Sequence, residues 1–188
     1  MISAIILAAG KSTRMGQPKM LMPWGRTTVI EKVIETVQAA EVDEITLVVN
    51  ASLAKEIELP GMQIVLNDDG EMLSSVQAGL KAQKPSAQAT LICLGDQPQV
   101  EEGSVRSVCA AYRESKSQLV VLSYQMRRGH PWLIAQELWD EILHMRETET
   151  MRDFLGKHAD EILYVECDTA SILQDLDTPE DYRKFKPT

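Results

Sequence analysis

Ile2-Ser3-Ala4-Ile5-Ile6-Leu7-Ala8 runs straight into Ala9-Gly10-Lys11-Ser12-Thr13-Arg14-Met15-Gly16-Gln17-Pro18-Lys19. The first seven residues form a short, partly β-branched apolar run stopped by Gly10, the pattern of a buried strand. The polar stretch behind it holds two glycines and three cations, Lys11, Arg14 and Lys19. A strand that ends in such a loop presents backbone N–H groups and positive side chains together, a combination that suits a polyphosphate.

Two familiar phosphate motifs do not describe this loop. Gly10-Lys11-Ser12 has the end of a P-loop, but that motif needs glycine at position 5, where Ile5 stands within the strand. The dinucleotide fingerprint G-x-G-x-x-G also fails, because only Gly10 and Gly16 are present. On composition alone, the loop reads equally well as a solvated strand-to-helix connection with incidental charges.

Working outward, strand and helix periodicities alternate. Thr27 or Thr28 caps a helix with Val29, Ile30, Val33, Ile34 and Val37 on one face. Glu44 to Asn50 reads as a strand, 52 to 58 as a short helix, Gln63 to Leu66 as a strand and Met72 to Ala82 as a helix. Ala89 to Leu94 is apolar apart from Thr90, as befits a central parallel strand. Glu102 to Arg113 reads as a helix, and Leu119 to Tyr124 and Pro131 to Ala135 as strands. Leu138 and Ile142 mark a helix, and Met151 to His158 a shorter one. Ile162 to Val165 is a late strand, and Thr178-Pro179 with Asp181 opens a final helix. Such alternation predicts an α/β fold: a single three-layer, Rossmann-like domain over 1–188 with a mostly parallel central sheet. Ligands of such sheets sit at the carboxyl ends of the strands, where the loops 9–19, 67–75 and 95–99 fall.

Bulk properties narrow the function classes. The 188 residues are 44% apolar and carry 28 acidic against 19 basic residues, a net charge of −9. This balance argues against nonspecific nucleic-acid or anionic-membrane binding, so the cations of 11–19 stand out from their background. Cys93, Cys109 and Cys167 lack zinc-ligand spacing and read as buried thiols of a reducing compartment. The first apolar run is too short to span a bilayer or serve as a signal peptide, which sets a cytoplasmic expectation.

Three further segments carry chemistry. Leu94-Gly95-Asp96-Gln97-Pro98 puts a carboxylate just past a buried strand, where it is a turn residue or, beside a phosphate loop, a ligand for Mg2+. Asp175-Leu176-Asp177-Thr178-Pro179-Glu180-Asp181 is a good helix start with acids at the positive end of the dipole. Arg127-Arg128-Gly129-His130-Pro131 reads as a basic turn leading into an apolar strand. Trp24, Trp132 and Trp139 read as core or rim packing.

The loop L-A-A-G-x-S-x-R-M-G-x-x-K resembles the signature of the nucleotidyltransferases of the molybdenum cofactor branch, relatives of the sugar-1-phosphate nucleotidyltransferases, and every fixed position of it is filled. The G-D-Q-P, R-G-H-P and D-x-D-T-P-E-D segments follow in the family's order, so the resemblance spans almost the whole chain. It implies a nucleotide-diphospho-sugar transferase-like fold and a cytidylyltransferase of the molybdenum cofactor type. Such an enzyme moves CMP from CTP (or GMP from GTP) to the phosphate of a molybdopterin-type cofactor and releases pyrophosphate. The resemblance implies Mg2+ on Asp96 and Asp177. It puts Arg14 at the leaving pyrophosphate, Lys19 at the α-phosphate, and Leu7, Ala8, Ala9, Gly10, Gly70 and Ser75 around the nucleotide. Arg128, Gly129, His130 and Pro131 would face the acceptor, with Thr148 to Leu155 along its border. Ala9, where guanylyl-transferring relatives tend to have glycine, and the Pro23-Trp24 element tilt the base toward cytosine. A molybdenum hydroxylase or its chaperone is the implied partner. The remaining alternatives are a sugar or polyol phosphate as acceptor and a non-catalytic accessory role.

Overall fold

Every residue of β1 (Ile2–Ala8) is buried. Such a strand must be covered on both faces, between which its side chains alternate. Ala4, Ile6 and Ala8 enter one apolar layer, and Ile5 and Leu7 the other. The computed structural model describes residues 1–187. Pro23–Trp24 and Thr27–Thr28 pair in a separate two-stranded ribbon; the remaining strands of the central sheet are β2 (Glu44–Val49), β3 (Gln63–Leu66), β4 (Ala89–Leu94), β5 (Leu119–Tyr124), β6 (Arg127–Ala135) and β7 (Leu163–Glu166). Together with β1 they form a seven-stranded sheet of order β3-β2-β1-β4-β6-β5-β7. All neighbours are parallel except β6, which runs antiparallel to both β4 and β5.

Helices cover both faces, as the apolar strands require. α1 (Val29–Ala39) and α4 (Glu102–Ser115) pack on the Ile6 side, and the short α2 (Ala51–Ala54) follows β2. α3 (Met72–Lys81), α5 (Trp139–Leu143) and α6 (Met151–Lys157) pack on the Ile5 side. A one-turn helix at Ala170–Leu173 and the terminal α7 (Pro179–Phe185) return to the Ile6 side, where Ile172 and Leu176 are fully buried. Capping boxes fix three of the helix starts: Thr28 with Glu31, Thr150 with Asp153, and Thr178 with Asp181. Each N-cap contributes about 1 kcal/mol. Gly79 lets α3 close onto β1, since a Cβ there would lie 2.6 Å from Ile5 Cγ2.

Two expectations are corrected. The helix at 52–58 is a single turn, and Asn50 is its N-cap rather than the end of a strand. The basic segment Arg127–Pro131 is not a turn but the first half of β6. The reversal lies one step earlier, at Gln125 and Met126, both with positive φ (50° and 61°). A two-residue hairpin with positive φ at both central positions usually takes Asn-Gly, so these side chains gave no warning of it. The β5/β6 register then jumps from Val121↔Trp132 to Leu122↔Gly129, leaving His130 and Pro131 in a bulge. Proline has no N–H to give a ladder, and a bulge accommodates it.

Candidate active site

The carboxyl ends of β1 and β4 lie side by side, with Leu7 paired to Leu94 and the Gly95 N–H donating to Leu7 O at 2.9 Å. A Cβ on Gly95 would stand 2.9 Å from that same carbonyl, so the close approach needs glycine. Asp96 follows at once, next to the point where the loop 9–19 leaves β1. Asn50 ties the loop down: its Nδ2 donates to Ala9 O (3.2 Å) and Gly10 O (3.4 Å), while its Oδ1 caps α2 through Leu53 N–H. Met15 is buried, and Ser12 and Gly16 take positive φ. The chain then turns back through a one-turn helix, Lys19–Leu21, with the Lys19 N–H reaching Ser12 Oγ. The Lys19 side chain is thereby turned inward, and the residue is only 8% exposed.

The Lys19 ammonium meets two carboxylates, Asp96 Oδ2 at 2.5 Å and Asp177 Oδ1 at 3.6 Å. Arg14 Nη1 reaches the other oxygen of Asp177 at 2.9 Å. Lys19 and Asp96 are largely shielded, whereas Arg14 and Asp177 face solvent, so the outer pair contributes little to stability. Asp177 arrives from far along the chain because Leu176 is buried and its N–H donates to Asp96 O at 3.1 Å. Beside it, Gln97 Nε2 donates to Asp175 Oδ1 at 2.7 Å and to Ile172 O at 3.4 Å. The Asp175 carboxyl is pushed above the usual aspartate range, first by burial and then by the Asp96 charge, against the opposing Gln97 hydrogen bond.

Among the described residues no group of three or more His, Cys, Asp or Glu side chains is placed to hold a metal ion. The arrangement offers two hard carboxylates, Asp96 and Asp177, that converge on one point. That donor set fits Mg2+, which takes one or two protein carboxylates and completes its shell with water and substrate phosphates.

The other expected site residues are more dispersed. Gly70, with a positive φ, lies beneath Ala9 O and the Lys11 side chain. Leu7, Ala8 and Ala9 are buried, with Gly10 exposed at the start of the loop. Ser75 is buried in the first turns of α3, and its Oγ accepts from Asn67 Nδ2 at 2.9 Å, as Ser74 Oγ also does. The β4/β6 ladder ends at Ile92↔Trp132, and beyond it Pro131 lines a small cavity with Cys93, Leu94 and Gln97, which puts the bulge near the carboxyl end of β4. His130 stacks on Trp132 with centroids 4.2 Å apart, and burial pushes its pKa down to about 3, which keeps the ring neutral. Its Nε2 and Trp132 Nε1 are buried without partners. Arg128 turns away to Tyr164, donating to its Oη at 2.8 Å, and Gly129 is pressed against Ile172. Trp24 packs on Tyr182 of α7 and is rim packing. Thr150 caps α6 at the edge of a cleft of about 630 Å³, whose opposite wall is the start of α3. Asn50 and Gln97 were not among the expected residues. An asparagine just past an apolar strand signals a helix cap, and Gln97 lay inside a motif already singled out.

The chain matches the MobA-like NTP transferase domain over residues 4–162. It is 26% identical over 190 residues to the molybdenum cofactor cytidylyltransferase of Escherichia coli, covering 96% of this chain and 93% of that protein. It is 27% identical over 191 residues to the nicotine blue oxidoreductase of Paenarthrobacter nicotinovorans, covering 95% and 93%. A 35% identical match to the bifunctional protein GlmU of Leifsonia xyli takes in 65% of this chain but spans only 27% of that protein. Among solved structures it is similar to Rv0371c of Mycobacterium tuberculosis, with a TM-score of 0.90 at 25% identity, covering 100% of this chain and 99% of that one. It is also similar to a nucleotidyl transferase of Methanothermobacter, with a TM-score of 0.83 at 26% identity, covering 99% and 96%. The chain is a nucleotidyltransferase and belongs to the family of MobA-like NTP transferase domains.

Proposed function

We propose that the chain transfers CMP from CTP to the phosphate of a molybdopterin-type cofactor and releases pyrophosphate. The observation that carries this reading is the grouping of Arg14 and Lys19 of the loop 9–19 with Asp96 and Asp177. It matters more than the names of the relatives, since an oxidoreductase and a cytidylyltransferase are equally similar to the chain.

An acceptor phosphate oxygen attacks the α-phosphorus of the nucleotide, and the bond from that phosphorus to the bridging oxygen of pyrophosphate breaks. The attacking oxygen is already ionised at neutral pH, so no protein base is required. That agrees with a neutral, stacked His130, which serves to position the acceptor. Catalysis of this kind rests on placement and charge neutralisation. Lys19 neutralises the α-phosphate region and Arg14 the departing pyrophosphate, while the loop and Gly70 hold the nucleotide, with Ser75 near the base. When bound, Mg2+ supplies further charge neutralisation at the phosphates, held by Asp96 and Asp177. Trp24 is occupied by Tyr182, so the preference for cytosine rests on Ala9.

The test is a nucleotide-by-acceptor assay that follows pyrophosphate. Faster release with CTP than with GTP, on the molybdopterin phosphate, supports the reading. Equal or faster turnover with GTP refutes the base assignment, and turnover confined to sugar or polyol phosphates refutes the acceptor. Nucleotide binding without turnover on any acceptor favours an accessory role.

A further inference from the structure

We propose that Gln97 is a positioning residue, and that its clamp on Asp175 sets the spacing of the two site carboxylates, Asp96 and Asp177. The inference rests on the functional reading above and assigns Asp175 a role different from that of a metal ligand.

Asp96 and Asp177 come from elements with no reason of their own to meet, one at the end of β4 and one on a strap ahead of α7. Two cross-links join them. The Leu176 N–H donates to Asp96 O, and the Gln97 amide donates to Asp175 Oδ1 and Ile172 O. The links run in opposite directions between the adjacent pairs Asp96-Gln97 and Asp175-Leu176, so each fixes the other. Gln97 is only 4% exposed, and its Oε1 is buried without a partner. An amide turned the other way would set that oxygen against the Asp175 carboxylate, so the donors hold the orientation. Asp175 has one oxygen on Gln97 and makes no ion pair with Lys19 or Arg14. The pair thus locks the strap from below while Asp177 faces the open site. Groups that orient metal-binding side chains in this way typically cost 10–100-fold in metal affinity when removed.

The experiment uses Mn2+ as a probe. Its nucleotide-dependent binding is followed by electron paramagnetic resonance, and exchange of the Leu176 amide is followed in the protein without metal or nucleotide. Gln97→Met and Asp175→Ala both break the clamp. Asp175→Asn keeps an oxygen to accept from Gln97. Both breaking variants are expected to weaken Mn2+ binding about 10-fold and to speed Leu176 exchange. The double variant is expected to be no worse than either single, with Asp175→Asn within about 3-fold of wild type, as an intact link implies. Loss of Mn2+ in Asp175→Asn equal to that in Asp175→Ala would make Asp175 a ligand and overturn the clamp, as would wild-type behaviour of Gln97→Met. A wild-type protein that binds no Mn2+ with nucleotide would count against the functional reading. The Leu176 exchange rates would still decide the clamp.

Discussion

The Lys19 ammonium lies 2.5 Å from Asp96 Oδ2 in a largely shielded setting, and Asp177 closes on the same nitrogen. A charge so placed is costly without a partner, so the free site balances itself, with the lysine standing where a divalent cation would otherwise neutralise the carboxylates. On this account Lys19 competes with metal until a nucleotide phosphate draws it away. Lys19→Met is expected to tighten Mn2+ binding in the absence of nucleotide while lowering turnover about 10²-fold or more. Mn2+ titration of both proteins checks this, and unchanged or weaker binding in the variant contradicts it.

The loop should depend on Asn50 through its donors. Asn50→Ala removes the α2 cap, at a cost of about 1 kcal/mol, and also frees Ala9 O and Gly10 O. Asn50→Asp keeps the capping oxygen but sets a carboxylate against those two carbonyls. Nucleotide titration is expected to show weakened binding in both variants, with Asn50→Asp at least as impaired. Recovery in Asn50→Asp would mean that the cap alone matters.

Gly129 acts through packing. A Cβ there would stand 2.5 Å from Ile172 O and 2.7 Å from the Ile172 side chain, so Gly129→Ala must push the turn that leads into the Asp175–Asp177 strap. Overpacking of this kind costs about 1–3 kcal/mol. A lowered melting temperature is expected together with reduced turnover, although Gly129 touches neither Asp96 nor Lys19. Calorimetry showing a wild-type melting temperature would contradict the close contact.

A pH dependence comes from the C-terminal end of α6. His158 Nδ1 meets Glu161 at 2.8 Å, its Nε2 meets Glu141 at 3.1 Å, and Lys157 holds Glu141 at 2.8 Å. Burial opposes charging of the ring, but the hydrogen bonds and charges of Glu161 and Glu141 outweigh it and raise the His158 pKa above its ordinary 6.5. Glu141 is held below its ordinary 4.5, foremost by Lys157 and then, against burial, by His158. The His158 contribution is complete below pH 6.5 and is lost as pH rises through the elevated folded-state value. The Glu141 contribution is present above pH 4.5 and is lost as pH falls through its depressed value. The melting temperature is therefore expected to fall as pH rises above 6.5, and His158→Gln to flatten that fall. An equal fall in both proteins contradicts the assignment.

Legibility followed the locality of the signal. β1, β3, β4 and β5 are short, mostly apolar runs, and their observed bounds are those that the sequence predicts. The capping box of Thr178 with Asp181 is a four-residue signal and equally plain, whereas at the first helix the sequence leaves Thr27 and Thr28 as alternative caps and the structure selects Thr28. The β5–β6 hairpin was not, because Gln125 and Met126 adopt positive φ without the glycine or asparagine that announces it. In the site, Lys19 and Asp96 could be named from the loop and the strand end. That Lys19 bridges both carboxylates, and that Gln97 ties Asp175 to β4, depends on contacts across more than 70 residues, which no local pattern encodes.

The most direct test of nucleotidyl transfer at this site is pyrophosphate release from CTP, with the molybdopterin phosphate as acceptor, by wild-type and Asp96→Ala protein. The account predicts steady release by the wild type and a loss of about 10²-fold or more in the variant. Release at the wild-type rate by Asp96→Ala would contradict it.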